Sequence, residues 1–326
     1  MFKKNFGRYG AVLTTNLAML SGVMITTVAH AEILVILPET GPMASASDSI
    51  KRGLVQANHN ANEKYKFHFV DVYKKDISKI LKQHVGKSTQ LVIGPLDKNN
   101  VEELVSAKPK IQTLALNQID KQAKSVFQFA LSKDEDAQAL TKRMQWDGVD
   151  QLVVLRDPNS IAQTQSFYDA MQKLWGDKMQ VQTKLDLKSK LPFFNRDKQG
   201  VLLLGSGKWL SQQDHLPKKN IYTLPYAIEE KFRIAKGMVY CDTPAIYTHQ
   251  WADVIEAYKQ KPVVIPYQRL IAFGADAWQI SDELLKRKGN QTIQFQGRTG
   301  QIRIVDSILS RSPQCFQSQG DTQKVL

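Results

Sequence analysis

The chain of 326 residues carries 44 lysines and arginines against 31 aspartates and glutamates, which gives a formal net charge of +13 at neutral pH. Apolar and aromatic side chains make up 42% of the sequence, an ordinary share for a globular protein. The length fits one large domain or two lobes of ordinary size. This composition excludes fibrous and disordered proteins, and no segment has a collagen, heptad or low-complexity pattern.

The first 31 residues have the pattern of a secretory signal. Three basic residues precede an apolar stretch over 11–28, and Ala29-His30-Ala31 follows. We predict a signal peptide over 1–31 rather than a membrane span, because polar residues interrupt the stretch and small residues stand at the cleavage position. No cysteine lies near this junction. We therefore expect a periplasmic protein that is soluble after cleavage, without a lipid anchor or an integral membrane span.

Export limits what the basic charge can mean. The lysines and arginines occur in short scattered runs, such as Lys74-Lys75 and Lys286-Arg287-Lys288, as on solvated surfaces. In the cell envelope, a basic protein could meet anionic lipid headgroups, peptidoglycan carboxylates or an acidic protein. Nucleic acid is not expected as a partner.

Short β-rich runs alternate with amphipathic stretches after the signal. Ile33–Leu37 is a continuous apolar run, typical of a strand that is covered on both faces. Ile50, Leu54 and Ala57 then share one face of a predicted helix. The pattern continues with strands at Phe67–Val72, Gln90–Ile93, Thr113–Leu116 and Val126–Leu131 and helices at Ile77–Val85 and Val101–Ala107. This order predicts a parallel sheet with right-handed crossovers.

A second unit of the same kind begins at Ser132. The sequence Ser132-Lys133-Asp134-Glu135 predicts a capping box, in which the Glu135 side chain returns to the start of the helix. Further strands are predicted at Gln151–Leu155, near Val181, and at Val201–Leu204, Tyr222–Leu224 and Ile302–Val305, with helices around Phe167 and over Trp251–Tyr258 and Ala275–Leu285. The sequence therefore predicts an α/β protein with two Rossmann-like lobes built on parallel sheets.

The sequence lacks the familiar motifs of catalysis and metal binding. The five histidines beyond the signal show no metal-ligand spacing; they are His59, His68, His84, His215 and His249. Phosphate-binding loops, dinucleotide fingerprints and the Gly-x-Ser-x-Gly motif are absent. No serine has a lysine three positions later, so the nucleophile motif of penicillin-binding enzymes is missing. Adjacent acids such as Glu229 and Glu230 fit capping or solvent exposure better than acid–base work. We predict a protein that is not an enzyme and uses no metal or cofactor.

The turns between strands and helices are the remaining candidates for binding. In parallel sheets these turns lie at the carboxyl ends of the strands, where ligands bind, and backbone N–H groups at helix starts can hold an anion. Thr40, Ser45, Asn117 and Asp157 are therefore candidate ligand-binding residues in a cleft. The alternative is that Gly, Pro, Asn and Asp residues only form the turns.

Cys241 and Cys315 are the only two cysteines. An oxidising compartment favours a disulfide between them, and the alternative is two separately buried thiols. Closing a loop of this length stabilises a protein by roughly 4 kcal/mol in the chain-entropy estimate.

Several segments together resemble the LpoA-type activators of class A penicillin-binding proteins. Two of them are Ile33-Leu34-Val35-Ile36-Leu37-Pro38-Glu39-Thr40-Gly41-Pro42 and Val92-Ile93-Gly94-Pro95-Leu96-Asp97-Lys98-Asn99-Asn100. Further segments are Leu114-Ala115-Leu116-Asn117-Gln118, Phe129-Ala130-Leu131-Ser132-Lys133-Asp134-Glu135-Asp136-Ala137, Phe273-Gly274-Ala275-Asp276-Ala277-Trp278 and Gln296-Gly297-Arg298-Thr299-Gly300-Gln301-Ile302. Each is weak alone, but their order and spacing along the chain are specific.

The resemblance implies a type I periplasmic-binding-protein fold with three hinge crossings, near Ser132, near Asp242 and just after Gly300. It divides the chain into the signal at 1–31, lobe 1 at 32–131, lobe 2 at 132–242, the second part of lobe 1 at 243–300, and a segment at 301–326 that returns to lobe 2. Cys241 lies close to one of these crossings.

The resemblance also implies a function. Family members are non-catalytic proteins that bind a bifunctional peptidoglycan synthase and promote transpeptidation, and so act in cell-wall synthesis and cell shape. Longer members carry an N-terminal helical-repeat domain and a lipidated cysteine, and this sequence resembles their C-terminal domain alone. The alternative function is a periplasmic solute-binding protein for a small polar ligand.

Overall fold

The computed structural model describes Met1, residues 31–183 and residues 198–326. The predicted signal peptide lies outside the described residues, apart from its two terminal positions. None of the helices in the described ranges combines the length and the apolar character that a membrane crossing requires.

The first sheet has five parallel strands in the order β2-β1-β3-β4-β5. Its elements in chain order are β1 (Ala31–Leu37), α1 (Ala44–Asn60), β2 (Tyr65–Asp71), α2 (Ile77–His84), β3 (Thr89–Ile93), α3 (Lys98–Ala107), β4 (Thr113–Ala115) and β5 (Val126–Gln128). The α2 and α3 helices begin at aspartates, Asp76 and Asp97, whose carboxylates accept N–H groups of the first turn.

The run of apolar residues in β1 is explained by its interior position, between β2 and β3. Its alternate residues face opposite sides of the sheet. Ile33, Val35 and Leu37 pack into the core under α1, and Leu34 and Ile36 pack into the core under α2 and α3. All five side chains are buried. The predicted strand covered on both faces is present.

The second sheet begins after the first crossing with α4 (Lys133–Trp146). The elements that follow are β6 (Gln151–Arg156), α5 (Ile161–Trp175), β7 (Met179–Gln182), β8 (Gln199–Leu204), α6 (Gly207–Leu210), β9 (Ile221–Thr223) and β10 (Val239–Asp242). These five strands are parallel, in the order β10-β9-β8-β6-β7. The chain thus builds two separate parallel sheets, as the alternating pattern predicts.

The chain then returns to the first sheet. Two helices, α7 (Ala252–Gln260) and α8 (Ile265–Lys286), pack on α1. They are followed by a three-stranded antiparallel sheet of β11 (Ile293–Gln296), β12 (Gln301–Val305) and β13 (Ile308–Ser312). Ile302, Ile304 and Leu309 of this small sheet belong to the core of the first lobe.

The last two strands, β14 (Gln314–Ser318) and β15 (Gln323–Val325), join the second sheet, where β14 pairs antiparallel with β10. The third passage between the lobes therefore lies at Pro313, later than the predicted position after Gly300. Gly300 sits instead in the tight turn between β11 and β12, where the Gly297 N–H bonds the Gly300 carbonyl. The apolar alternation of β12 and β13 explains the difference, because it holds residues 301–312 against the first lobe.

Candidate functional site

The first strand-to-helix turn is occupied by a carboxylate of the chain itself. Asp71, at the end of β2, accepts the Glu39 N–H at 2.9 Å, the Thr40 hydroxyl at 2.9 Å and the Tyr73 N–H at 3.0 Å. Burial alone would raise the pKa of Asp71, but hydrogen bonds from Tyr73 and Thr40 lower it. The Glu39 N–H and the Thr40 hydroxyl at this turn are thus already paired within the chain.

The turn after β4 is satisfied in a similar way. The Asn117 side-chain amide donates to the Leu96 carbonyl at 2.9 Å, and its oxygen accepts the Gln118 N–H at 2.9 Å. These bonds join the ends of β3 and β4. Asn117 therefore has a structural task at the edge of the sheet.

The second sheet shows the same feature at its carboxyl edge. Asp157 is buried and accepts the Asn159 N–H at 2.9 Å and the Ser160 hydroxyl at 2.6 Å. At the neighbouring turn, the Gly207 N–H at the start of α6 donates to the Glu229 carboxylate at 2.8 Å. Internal carboxylates occupy these turns as well.

A cavity of about 740 Å³ lies beside the first crossing. Its apolar wall includes Leu131, Leu270 and Phe273, and its polar rim includes Ser132 and Asn117. Of the four candidate ligand residues, only Asn117 lines this cavity. Thr40 and Ser45 are exposed at the start of the α1 region, and Asp157 is enclosed by its own hydrogen bonds.

A buried ion pair ties α8 to the second sheet. Arg269 of α8 holds Asp242, the last residue of β10, through two bonds of 2.8 and 2.6 Å, and also donates to the Pro225 carbonyl at 2.9 Å. The Tyr247 hydroxyl donates to Asp242 at 2.6 Å. Burial would lower the pKa of Arg269, but the Asp242 charge outweighs it and raises this pKa. The predicted hinge residue Asp242 is thus one half of a tight connection between the lobes.

A second buried connection joins β13 to the start of α4. The Arg311 guanidinium bonds Asp136 and, at 3.1 Å, the Thr299 carbonyl. The Arg311 N–H donates to Glu135 at 2.7 Å. The predicted capping box is therefore wrong. Ser132 begins the helix without a side-chain cap bond, and the Glu135 carboxylate bonds β13 instead of the helix start.

A third set of buried charges braces the first lobe next to the second crossing. The Arg298 guanidinium bonds Asp253 at 3.0 and 2.6 Å. Asp276 of α8 is completely buried and accepts the backbone N–H groups of Arg298 and Thr299 at 2.7 and 2.8 Å. The Arg298 carbonyl in turn accepts the Ala245 N–H at 3.0 Å. These bonds fix the turn between β11 and β12 against the helices.

The two cysteines face each other across this region. Cys241 of β10 and Cys315 of β14 occupy paired positions of the antiparallel ladder and are joined by a disulfide in the structure. The bond lies next to Asp242 and two residues from Pro313. It therefore links the strands on which the second and third passages begin or end.

Glu135 is the titratable group at this junction whose pKa falls near neutrality. Burial raises the pKa of Glu135 from 4.5 to about 7, against the opposing effect of the Arg311 charge. The folded protein therefore keeps a proton on Glu135 at pH values at which the unfolded chain has released it. The stabilisation from this proton is complete below about pH 4.5 and is lost as the pH rises through 7.

Glu135→Gln is expected to remove this pH dependence, because glutamine stays neutral and can still accept the Arg311 N–H. Between pH 5 and pH 8, wild-type protein should lose on the order of 2 kcal/mol more of its free energy of unfolding than the variant does. Urea unfolding at the two pH values measures this difference. Asp134→Asn, an exposed change in the same helical turn, serves as the control. Equal losses in wild type and Glu135→Gln would contradict the prediction.

Sequence reasoning missed the arginines that make these connections. Arg269, Arg298 and Arg311 lie in ordinary polar positions of the sequence, where arginine is most often exposed. The alternation of β13 offers a partial signal, since Arg311 falls on the same face as the buried Leu309. The acidic partners of these arginines lie elsewhere in the sequence, so the sequence alone could not identify which acid each arginine bonds.

The sequence of this chain is similar to those of known proteins. A profile of the LppC lipoprotein family matches residues 7–196, more than half of the chain. The chain belongs to the LppC family.

Several relatives are described as penicillin-binding protein activator LpoA, and two of them illustrate the range of the match. The one from Glaesserella parasuis is 23% identical over 342 residues and covers 97% of this chain and 57% of the relative. The one from Escherichia coli is 31% identical over 140 residues, 42% of this chain and 20% of the relative. The matched part of this chain thus covers 57% of the length of the first relative and 20% of the length of the second.

Solved structures show the same fold for this LppC protein. The C-domain of LpoA from Haemophilus influenzae, described as a regulator of PBP1A, matches with a TM-score of 0.73 and 19% identity, over 90% of this chain and 99% of that chain. A Chromobacterium violaceum protein described as a branched-chain amino acid ABC transporter matches with a TM-score of 0.71 and 18% identity, over 88% of this chain and 100% of that chain. The predicted family resemblance and the type I periplasmic-binding-protein fold are confirmed.

Proposed function

We propose that this protein is a non-catalytic periplasmic activator that binds a class A penicillin-binding protein and promotes its transpeptidation of peptidoglycan. The observation that carries the proposal is the alignment of 97% of the chain with a relative described as a penicillin-binding protein activator. The structure matched at a TM-score of 0.73 is described as a regulator of a penicillin-binding protein.

The turns of the two sheets support a role other than solute binding. A solute-binding protein needs free donors at these turns to hold the polar groups of its ligand. Here Asp71 accepts the Glu39 N–H, Glu229 accepts the Gly207 N–H, and Asp157 accepts the Asn159 N–H. A ligand anion could use these three N–H groups only by displacing a carboxylate of the chain.

The connections between the lobes support the same proposal. The Arg269–Asp242 and Arg311–Asp136 pairs each join a residue of the first lobe to one of the second, and both pairs are buried. Both pairs lie beside the crossings and hold the lobes in the arrangement that the structure shows. A fixed arrangement suits a protein that presents one surface to a partner.

The test is to add the purified protein to a class A synthase of the same organism and to measure the cross-linked fraction of the product from lipid-linked substrate. We expect the cross-linked fraction to rise, and we expect the complex to weaken as salt increases, because the protein is basic.

Two controls make the result specific. Heat-unfolded protein should have no effect, and a synthase treated with a β-lactam should show no cross-linking with or without the protein. Unchanged cross-linking together with no detectable complex at low salt would overturn the proposal.

One observation favours the alternative of solute binding. The cavity of about 740 Å³ beside the first crossing combines an apolar wall with the Asn117 amide and is large enough for an amino acid. Calorimetric titration with amino acids, sugars and muropeptide fragments tests this function. Binding of one of them in this cavity, with closure of the lobes seen by X-ray scattering, would favour a solute-binding protein.

A further inference from the structure

The outer face of the small antiparallel sheet is polar and borders a second cavity. Alternation along the strands places Gln294, Arg303 and Ser310 in one row across the three strands, and Gln301 and Ser312 in a neighbouring row. The opposite face carries the apolar side chains that fill the first core. With Gln138 and Lys142 of α4, the outer face encloses a cavity of about 270 Å³.

The charges around this cavity are mostly positive. Arg303, Lys142 and Arg311 line it, and Glu135 is the one carboxylate among the described residues that line it. The Arg311 guanidinium is itself bonded to Asp136. Glu135 already accepts the Arg311 N–H at 2.7 Å. The Nε atom of Arg311 is buried and has no hydrogen-bond partner among the described residues, although it lies 3.5 Å from Glu135.

Arg303 differs from the other arginines that the structure describes. Each of the others has a side-chain hydrogen bond or an ion pair: Arg52, Arg143, Arg156, Arg233, Arg269, Arg287, Arg298 and Arg311. The Arg303 guanidinium has no such bond within the described ranges, and neither has the Lys142 ammonium group. Two cations that have no partner among the described residues thus line one cavity, next to amide and hydroxyl side chains.

We propose that this cavity binds the terminal carboxylate of a short peptide, with Arg303 as its principal ligand. A guanidinium can hold a carboxylate through two parallel hydrogen bonds. Glutamine side chains both donate and accept, which suits the N–H and C=O groups of the adjoining peptide. The volume equals that of about nine water molecules, enough for one or two small residues. This inference does not depend on the proposed activator role.

Calorimetric titration with N-acetyl-alanyl-alanine, which has a free carboxylate, tests the proposal. Its C-terminal amide should bind at least tenfold more weakly, and Arg303→Gln should weaken binding of the free acid at least tenfold. Lys142→Gln should weaken it less, because lysine contributes a single point charge. Both side chains are exposed, so urea unfolding should match wild type. Arg233→Gln, a change of an exposed arginine paired with Asp321, is the matched control and should leave binding unchanged.

The pH dependence gives a second test. The charged groups around Glu135 are Arg311 on β13 and Asp134 and Asp136 on its own helix, α4. Lys142 on α4 and Arg303 on β12 also line the cavity. An ionised Glu135 repels the ligand, so affinity should increase as the pH falls through about 7, and Glu135→Gln should remove this increase.

Any of the following results would overturn the proposal: no binding of the free acid, equal binding of acid and amide, binding that Arg303→Gln leaves intact, or binding that weakens as the pH falls. Inorganic phosphate that binds as tightly as the peptide, with the same dependence on Arg303, would identify a general anion site and would also overturn it.

Discussion

Replacing Asp242 by alanine is expected to lower the free energy of unfolding by roughly 3–5 kcal/mol, because the change leaves the Arg269 charge buried without its partner. Asp242 is 2% exposed and also accepts the Tyr247 hydroxyl and the Thr243 N–H. All three donors lose their acceptor at once. Urea unfolding, followed by circular dichroism, measures the loss.

The matched control is Asp321→Ala, which removes the partner of Arg233 from an exposed ion pair. Exposed pairs contribute little to stability, so this variant should unfold like wild type. A loss for Asp242→Ala no larger than that for Asp321→Ala would show that the Arg269–Asp242 pair does not hold the lobes together.

Gly274→Ala should destabilise the protein by about 3 kcal/mol or more, because α1 and α8 touch through their backbones at this point. A β-carbon on Gly274 would lie 2.0 Å from the Ile50 carbonyl oxygen, and one on Gly53 would lie 2.0 Å from the Ile271 carbonyl oxygen. Alanine favours a helix by about 1 kcal/mol over glycine. The gain in helix propensity is smaller than the free-energy cost of moving two closely packed helices apart.

Gly86→Ala provides the control for Gly274→Ala, since its β-carbon would meet open space. Gly53→Ala should repeat the effect of Gly274→Ala, because it inserts a methyl group into the same contact from the other helix. Wild-type stability in Gly274→Ala would mean that α1 and α8 are farther apart than the structure places them.

Both contacts bear on the proposed function, because each of them fixes the shape of the protein. The α1–α8 contact holds the first lobe together, and the Arg269–Asp242 pair fastens α8 of that lobe to the second sheet. A surface that a synthase recognises must keep its shape, and both contacts fix that shape. If either variant folds but loses its effect on cross-linking, the fixed arrangement matters for activation.

The predicted elements agree best with the structure where local pattern and burial coincide. The run Ile33–Leu37 is typical of a strand covered on both faces, and it forms an interior strand of the first sheet, between β2 and β3. The predicted helix over Val101–Ala107 is present as part of α3, and Asp97 caps it.

Two predictions fail for different reasons. Glu135 fits a capping box by its spacing from Ser132, yet it bonds the Arg311 N–H on a strand 176 residues away. Gly300 fits a lobe boundary by resemblance, yet it forms a hairpin turn, because the strands on either side of it pair with each other. The partner of Glu135 is remote in sequence, whereas Gly300 is placed by the pairing of its neighbouring strands.

The sequence alone determined the alternation of strands and helices and the two parallel sheets, because hydrophobic periodicity and turn residues act over a few neighbouring positions. The family resemblance came from the order and spacing of the matching segments. Only the tertiary structure decided which carboxylates fill the turns and which arginines join the lobes. It also decided that Arg303 lines a cavity and has no partner among the described residues. Burial and charge pairing depend on residues that chain topology brings together from far apart, and no local pattern records them.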